Sequence, residues 1–186
     1  MAKRPATTTA TAPATTPIPN FIRGGDFSDP PASNKDGEKH YMQIDAPEPL
    51  GPWRLTDGIA LVCSGAMTRS SHQAIDIGGA VLEQEFDTAP VGRTVEITWM
   101  HCKNTDRTCS GTTSQSYAAS VLDPNGIVVA EGRYVPGINF SPIPATQTLK
   151  FPVNSSAPYT LKFEGEAGTS CGAMIYRVVG QAASTS

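Results

Sequence analysis

The side chains best suited to chemistry in this chain are three histidines, four cysteines and a scatter of carboxylates. A nucleophilic hydrolase needs Ser, His and a carboxylate to converge, and one sequence sign of that is a Gly-x-Ser-x-Gly elbow. No such elbow occurs, and His40, His72 and His101 sit in no recognisable catalytic motif. His101, Cys102 and Cys109 are zinc-ligand types, but their spacing matches no paired arrangement and no fourth ligand is evident. Glu83 and Glu85 share a strand face, with Asp87 following, which reads as the wet side of a sheet. No Gly-rich loop opens a helix to cradle a phosphate. The expectation is a protein that binds without catalysing.

Sugar recognition calls for exposed rings that stack on sugar faces, with amide, carboxylate or Arg groups beside them. Trp99 shares parity with Val95 and Ile97, so it belongs to a core. The candidates are therefore loop residues: Tyr41; His101, Asn104, Asp106 and Arg107; and Tyr134, Asn139 and Phe140. The alternative for each is an ordinary solvated loop. Asn139-Phe140-Ser141 and Asn154-Ser155-Ser156 also fit the N-glycosylation acceptor pattern.

Cys63, Cys102, Cys109 and Cys171 permit two disulfides in three connectivities. Cys102 and Cys109 flank a short polar turn, and closing it would contribute roughly 2–3 kcal/mol on the chain-entropy model. Cys63 and Cys171 would then tie distant strands together. Four reduced thiols in a cytosolic product are the alternative.

The elements that must position these residues are strands. His72–Trp99 carries three apolar/polar alternations separated by Gly78-Gly79 and Pro90-Val91-Gly92. Period-two alternation marks a strand with one face on a core, and three such runs make an antiparallel meander. Asp123-Pro124-Asn125-Gly126 is a hairpin turn between Tyr117–Leu122 and Ile127–Val135. Asn20–Phe27 reads as a first strand, residues 28–50 as a long surface loop, and 101–116 as a polar excursion. Thr146–Val153, Tyr159–Glu164 and Gly172–Val179 follow as strands. With 17 Gly, 16 Pro and no convincing helix, the expected fold is all-β: a two-sheet antiparallel jelly-roll sandwich of about ten short strands. An immunoglobulin-like sandwich is the alternative.

Residues 1–19, dominated by Thr, Ala and Pro, cannot bury enough apolar surface to offset their ordering entropy. They form an N-terminal arm, residues 20–180 the β-sandwich domain, and 181–186 a tail. An ordered arm would imply a partner, so the arm is expected to tether the domain to a larger, homo-oligomeric assembly. The net charge is −3 with no Lys/Arg run, which disfavours nucleic acid. No apolar run approaches the roughly 20 residues of a membrane span, and no 7–15-residue apolar stretch follows Met1, so the expectation is that the secretory route is unused or that a signal has been removed.

The ordered landmarks resemble the galactose-binding-like jelly rolls, especially the cell-wall and extracellular family called domain of unknown function 642. Asn20-Phe21-Ile22-Arg23-Gly24-Gly25-Asp26-Phe27 stands where that family has its opening strand. Trp53, Gly58 and Ile59–Val62 stand at its Trp, Gly turn and Val-rich strand, and Gln73–Gly79 at its Gln-Ser-Val-Asp-Leu-x-Gly segment. Gln84-Glu85-Phe86, Pro90-Val91-Gly92 and Val95–Trp99 follow in order, and Cys171–Val178 resembles its closing run. The resemblance spans roughly residues 20–180 and implies a non-catalytic, glycan-associated sandwich. It also implies a place for structural calcium, where this chain has Ser28 and Tyr176, neither a hard anionic ligand, with Asp29 as a nearby substitute. No cofactor is otherwise expected. The functional expectation is a decoration or attachment protein on a viral particle, with glycan binding inherited from the fold. The alternative is a secreted carbohydrate-binding module acting on cell-wall polysaccharide.

Overall fold

Alternation becomes register in the structure, a computed structural model that describes residues 19–32, 41–63, 72–105, 109, 114–137, 144–169 and 171–184, without the side chains of Tyr41 and Leu61. Among the described residues twelve strands follow in chain order: β1 (Tyr41–Asp45), β2 (Pro49–Leu50), β3 (Trp53–Asp57), β4 (Ile59–Cys63), β5 (Ala74–Asp76) and β6 (Val81–Phe86), then β7 (Thr94–Lys103), β8 (Tyr117–Leu122), β9 (Val128–Tyr134), β10 (Ala145–Pro152), β11 (Tyr159–Gly165) and β12 (Ala173–Ala182). These twelve lie in two sheets, in the orders β1-β4-β5-β12-β7-β10 and β2-β3-β6-β11-β8-β9, and every pairing among them is antiparallel. The fold is the expected two-sheet antiparallel jelly-roll sandwich.

The inward set of each strand builds the shared core. Val95, Ile97 and Trp99 of β7 share one buried cluster with Tyr159, Leu161 and Phe163 of β11 and with Leu82, Phe86, Tyr117, Ile175 and Phe151. Trp99 and Trp53 are both 1% exposed and meet Phe163 with ring centroids 5.4 and 6.0 Å apart. Each such ring removes 150–250 Å² of surface from water, so the aromatic centre dominates the driving force. The Asp123–Gly126 turn closes the β8–β9 hairpin as the sequence indicates. Asp123 Oδ1 accepts from the Asn125 and Ile127 amides at 2.8 and 2.9 Å, and Gly126 takes φ = 77°.

Asn20–Phe27 is not a strand. Its backbone groups go to side chains and to β12 instead of to a ladder. Gln84, 2% exposed, holds Arg23 through both of its amide atoms, accepting from the Arg23 amide at 2.9 Å and donating to its carbonyl at 2.8 Å. The Trp53 indole donates to the Gly24 carbonyl at 3.0 Å, and the Phe21 and Val178 amides bond Gly180 and Gly25 carbonyls. Ile22 and Phe27 still plug the core. The supposed 28–50 loop contains β1 and β2, and the supposed tail begins inside β12, where Gln181 and Ala182 pair with Glu96 and Val95. Residues 1–18 of the arm lie outside the described residues.

Candidate functional site

A site on a sandwich needs a recess, and the outer face of the β2–β9 sheet makes one. Strand β8 turns Tyr117, Ala119 and Val121 inward, which leaves Ala118, Ser120 and Leu122 outward. The neighbours on either side carry long charged side chains at the matching positions. Register aligns Lys162 of β11 with Ser120, and Ser120 with Glu131 of β9. It likewise aligns Glu164 with Ala118, and Ala118 with Arg133. Small residues between two charged rows leave a trough along β8, an open depression of about 830 Å³ that reaches Glu166 and Ala167. Its walls stand two strand spacings apart, roughly 10 Å. The charged row continues through Glu83 to Arg54, with an adjoining depression of about 300 Å³ beside Arg23, Pro52 and Thr160.

The walls are organised electrostatically. Lys162 Nζ lies 2.8 Å from Glu164, and Arg54 lies 3.0 Å from Glu83. The Ser116 and Ser114 hydroxyls donate to Glu166 at 2.7 and 3.1 Å and, with help from Arg133, hold its carboxyl below the usual range. The lining therefore offers carboxylate acceptors and cationic donors side by side. Among the described residues it offers no exposed ring: Tyr117 touches the trough but is 1% exposed.

The loop residues expected to bind do not assemble there. Tyr41 opens β1 on the other sheet. His101 extends the inward set of β7 and is buried: its Nδ1 lies 2.8 Å from Tyr117 Oη, which also accepts the Trp99 indole N–H at 2.7 Å, and its Nε2 lies 3.1 Å from Gln147. Burial lowers the His101 pKa, so the imidazole sits neutral in this interior chain. Tyr134 is half-buried, stacked on Tyr117 and edge-on to Trp99, with its hydroxyl 3.4 Å from the Thr148 carbonyl. Asn104 is buried and donates to Asp76 Oδ2 at 2.6 Å, while Gln115 binds both its amide and its carbonyl. His101 and Asn104 are thus interior positioning groups, a correction to the exposed loop roles expected of them. Asp106, Arg107, Asn139 and Phe140 lie outside the described residues.

The cysteine pairing is also different. Cys109 bonds Cys171, with Cα atoms 5.5 Å apart, while Cys63 and Cys102 are buried thiols on neighbouring parts of the other sheet's outer face. The expected Cys102–Cys109 bridge fails because β7 runs on to Lys103, and Cys102 faces an apolar cluster with Met174 and Tyr176. Burial raises its thiol to about 12. The bridge ties the 101–116 excursion to the chain entering β12, where Gly172 donates its amide to Asp76 at 2.6 Å. Gly78 belongs here for a spatial reason: a Cβ on it would lie 2.8 Å from the backbone nitrogens of Cys171 and Gly172. Cys109 is thereby removed as a zinc ligand. At the calcium position implied by resemblance, Tyr176 lies in that sulfur-rich cluster and Ser28 is exposed at a turn, so neither presents an anionic oxygen to a cation.

Sequence reasoning missed Ser120, Glu131, Arg133, Lys162 and Glu164. The alternation of β8 and the turn that pairs Ser120 with Glu131 were legible, but the placing of β11 beside β8 was not.

No family model matches the chain, and no curated protein matches it. Solved structures do share its fold. A cyclase from Fischerella sp. TAU, in complex with 4-(1H-indol-3-yl)butan-2-one, aligns over 92% of this chain and 100% of its own, with TM-score 0.58 and 14% identity. TmCBM61 in complex with β-1,4-galactotriose aligns over 89% and 99%, with TM-score 0.54 and 9% identity. The CBM22-1 xylan-binding domain of Paenibacillus barcinonensis Xyn10C aligns over 78% and 95%, with TM-score 0.52 and 9% identity. Such identities speak for the fold alone: the chain has the β-sandwich fold seen in carbohydrate-binding modules.

Proposed function

We propose that this chain is a non-catalytic carbohydrate-binding module that takes an extended oligosaccharide in the trough along β8. The observation that carries the reading is the trough itself: a flat floor of Ala118 and Ser120 between the charged rows Lys162/Glu164 and Glu131/Arg133. A sugar chain is a ribbon of hydroxyls that both donate and accept. Alternating carboxylates and cations satisfy both roles, and hydrogen bonds to charged groups are about twice as strong as neutral ones. Binding here rests on hydroxyl recognition and not on ring stacking.

The same electrostatics argue against glycoside hydrolysis. A general-acid carboxyl must keep its proton near neutrality. Glu166 is held low by two hydroxyls, which favours its ionised form. Asp76, whose pKa burial raises, is sealed in the interior.

The Cys109–Cys171 disulfide fits an oxidising, extracellular setting. The motif order that resembles the domain of unknown function 642 family supports the same assignment. Display on a virion rests on the N-terminal arm, outside the described residues, whereas the carbohydrate reading rests on the sandwich, so the second is the one we adopt.

A glycan array on the chain and on the Lys162→Ala/Arg133→Ala variant tests this. The reading expects binding to linear glycans that the variant weakens about tenfold or more, as loss of a charged hydrogen bond should. A blank array, or binding untouched by the variant, overturns it.

A further inference from the structure

We infer that two copies of this chain pair through their β9 edges, antiparallel, about a two-fold axis at Gly132. Among the described residues, strand β9 ends its sheet and one side of its backbone has no ladder partner. An edge of this kind is a template for a further strand. Three of the five exposed large hydrophobic residues among those described, Ile127, Val128 and Val135, sit on this strand or at its ends, between 48% and 61% exposed.

Charge selects both the partner and the register. A two-fold at Gly132 sets Glu131 opposite the partner's Arg133 and Arg133 opposite the partner's Glu131. Residue numbers of facing positions then sum to an even value, so outward faces outward and the sheet's two faces continue unbroken. Sliding one copy by two residues in either direction puts Glu131 against Glu131 or Arg133 against Arg133. Like charges directly opposite are destabilising. Among the described residues the ion pairs are Arg54–Glu83, Lys150–Glu96 and Lys162–Glu164; Glu131 is in none of them, and Arg133 attracts Glu166 without forming a direct ion pair with it. An isologous contact of this type closes on itself, and a dimer is the product. It would set two β8 troughs antiparallel, about 14 Å apart across the joined sheet.

Sedimentation velocity of the full chain at about 0.1 mM tests the pairing. The wild type is expected to dimerise. Glu131→Arg alone and Arg133→Glu alone each turn two attractive pairs into two repulsive ones, and should weaken the dimer at least about tenfold. The double swap Glu131→Arg/Arg133→Glu restores the attraction and should restore the dimer. Both side chains are exposed, so folding is expected to survive, and far-UV circular dichroism checks it. A monomeric wild type, a dimer indifferent to the single swaps, or a double swap that fails to recover association each overturns the inference. The readout is independent of glycan binding.

Discussion

Replacing Asp76 with Asn should remove a pH dependence that this one carboxyl imposes on the fold. Two effects compete at the site. Three donors favour the carboxylate: the Gly78 and Gly172 amides at 2.9 and 2.6 Å and the Asn104 side chain at 2.6 Å. Burial, with 1% of the residue exposed, disfavours it more strongly and raises the pKa from 3.8 to about 6. In the window between those values the folded protein holds a proton that the unfolded chain has released. Its stabilising contribution is therefore complete below pH 3.8 and is lost as pH rises through about 6. Raising the carboxyl from 3.8 to about 6 corresponds to about 3 kcal/mol. An Asn at 76 keeps a carbonyl for the two glycine amides, and the Asn104 amide can turn over to accept from it. Urea denaturation of wild type and Asp76→Asn at intervals from pH 3.5 to 8 gives the difference directly. The wild type should lose about 3 kcal/mol relative to the variant across the window and then run parallel to it. Parallel curves throughout would refute the reasoning. So would a wild type that gains on the variant as pH rises, since that would mean the three donors outweigh burial.

Reducing Cys109–Cys171 opens a loop spanning 62 residues. On the chain-entropy model that costs about 4 kcal/mol, visible as a lower urea midpoint in reductant that Cys109→Ser reproduces; an unmoved midpoint would show that the bridge is not holding the excursion. Tyr117→Phe strands the Trp99 indole N–H and His101 Nδ1 in the interior, a loss of about 2–4 kcal/mol at constant m-value. A neutral result there would mean water reaches the chain. Gly78→Ala should cost stability through contact with Cys171 and Gly172, whereas Ala at Gly137, with open space around its Cβ position, should not.

Local signals carried the strands well and their assembly poorly. Val95, Ile97 and Trp99 declared the inward face of β7, and the same parity, read two residues further, places His101 inside; its type drew it into a polar loop against its position. The Asp123–Gly126 turn fixed the β8–β9 register, because its hydrogen bonds are made within five residues. Asn20–Phe27 looked like a strand because Ile22 and Phe27 are core residues. What takes its backbone out of a ladder is Gln84, 61 positions from Arg23. Cys109 found Cys171 across 62 positions for a similar reason: nearness in sequence set the expected bridge, and the length of β7 decided against it. The trough exists only once β11 lies beside β8, a long-range pairing that leaves no mark on either segment alone.

The most direct test of the proposed trough is amide chemical-shift mapping with an oligosaccharide taken from the array. Titration should move the amides of Ala118, Ser120, Glu131, Gly132, Arg133 and Lys162 most, with Met174 and Tyr176 on the opposite sheet unchanged. Shifts concentrated on that opposite sheet, or no saturable shift in β8, β9 and β11, would contradict the account.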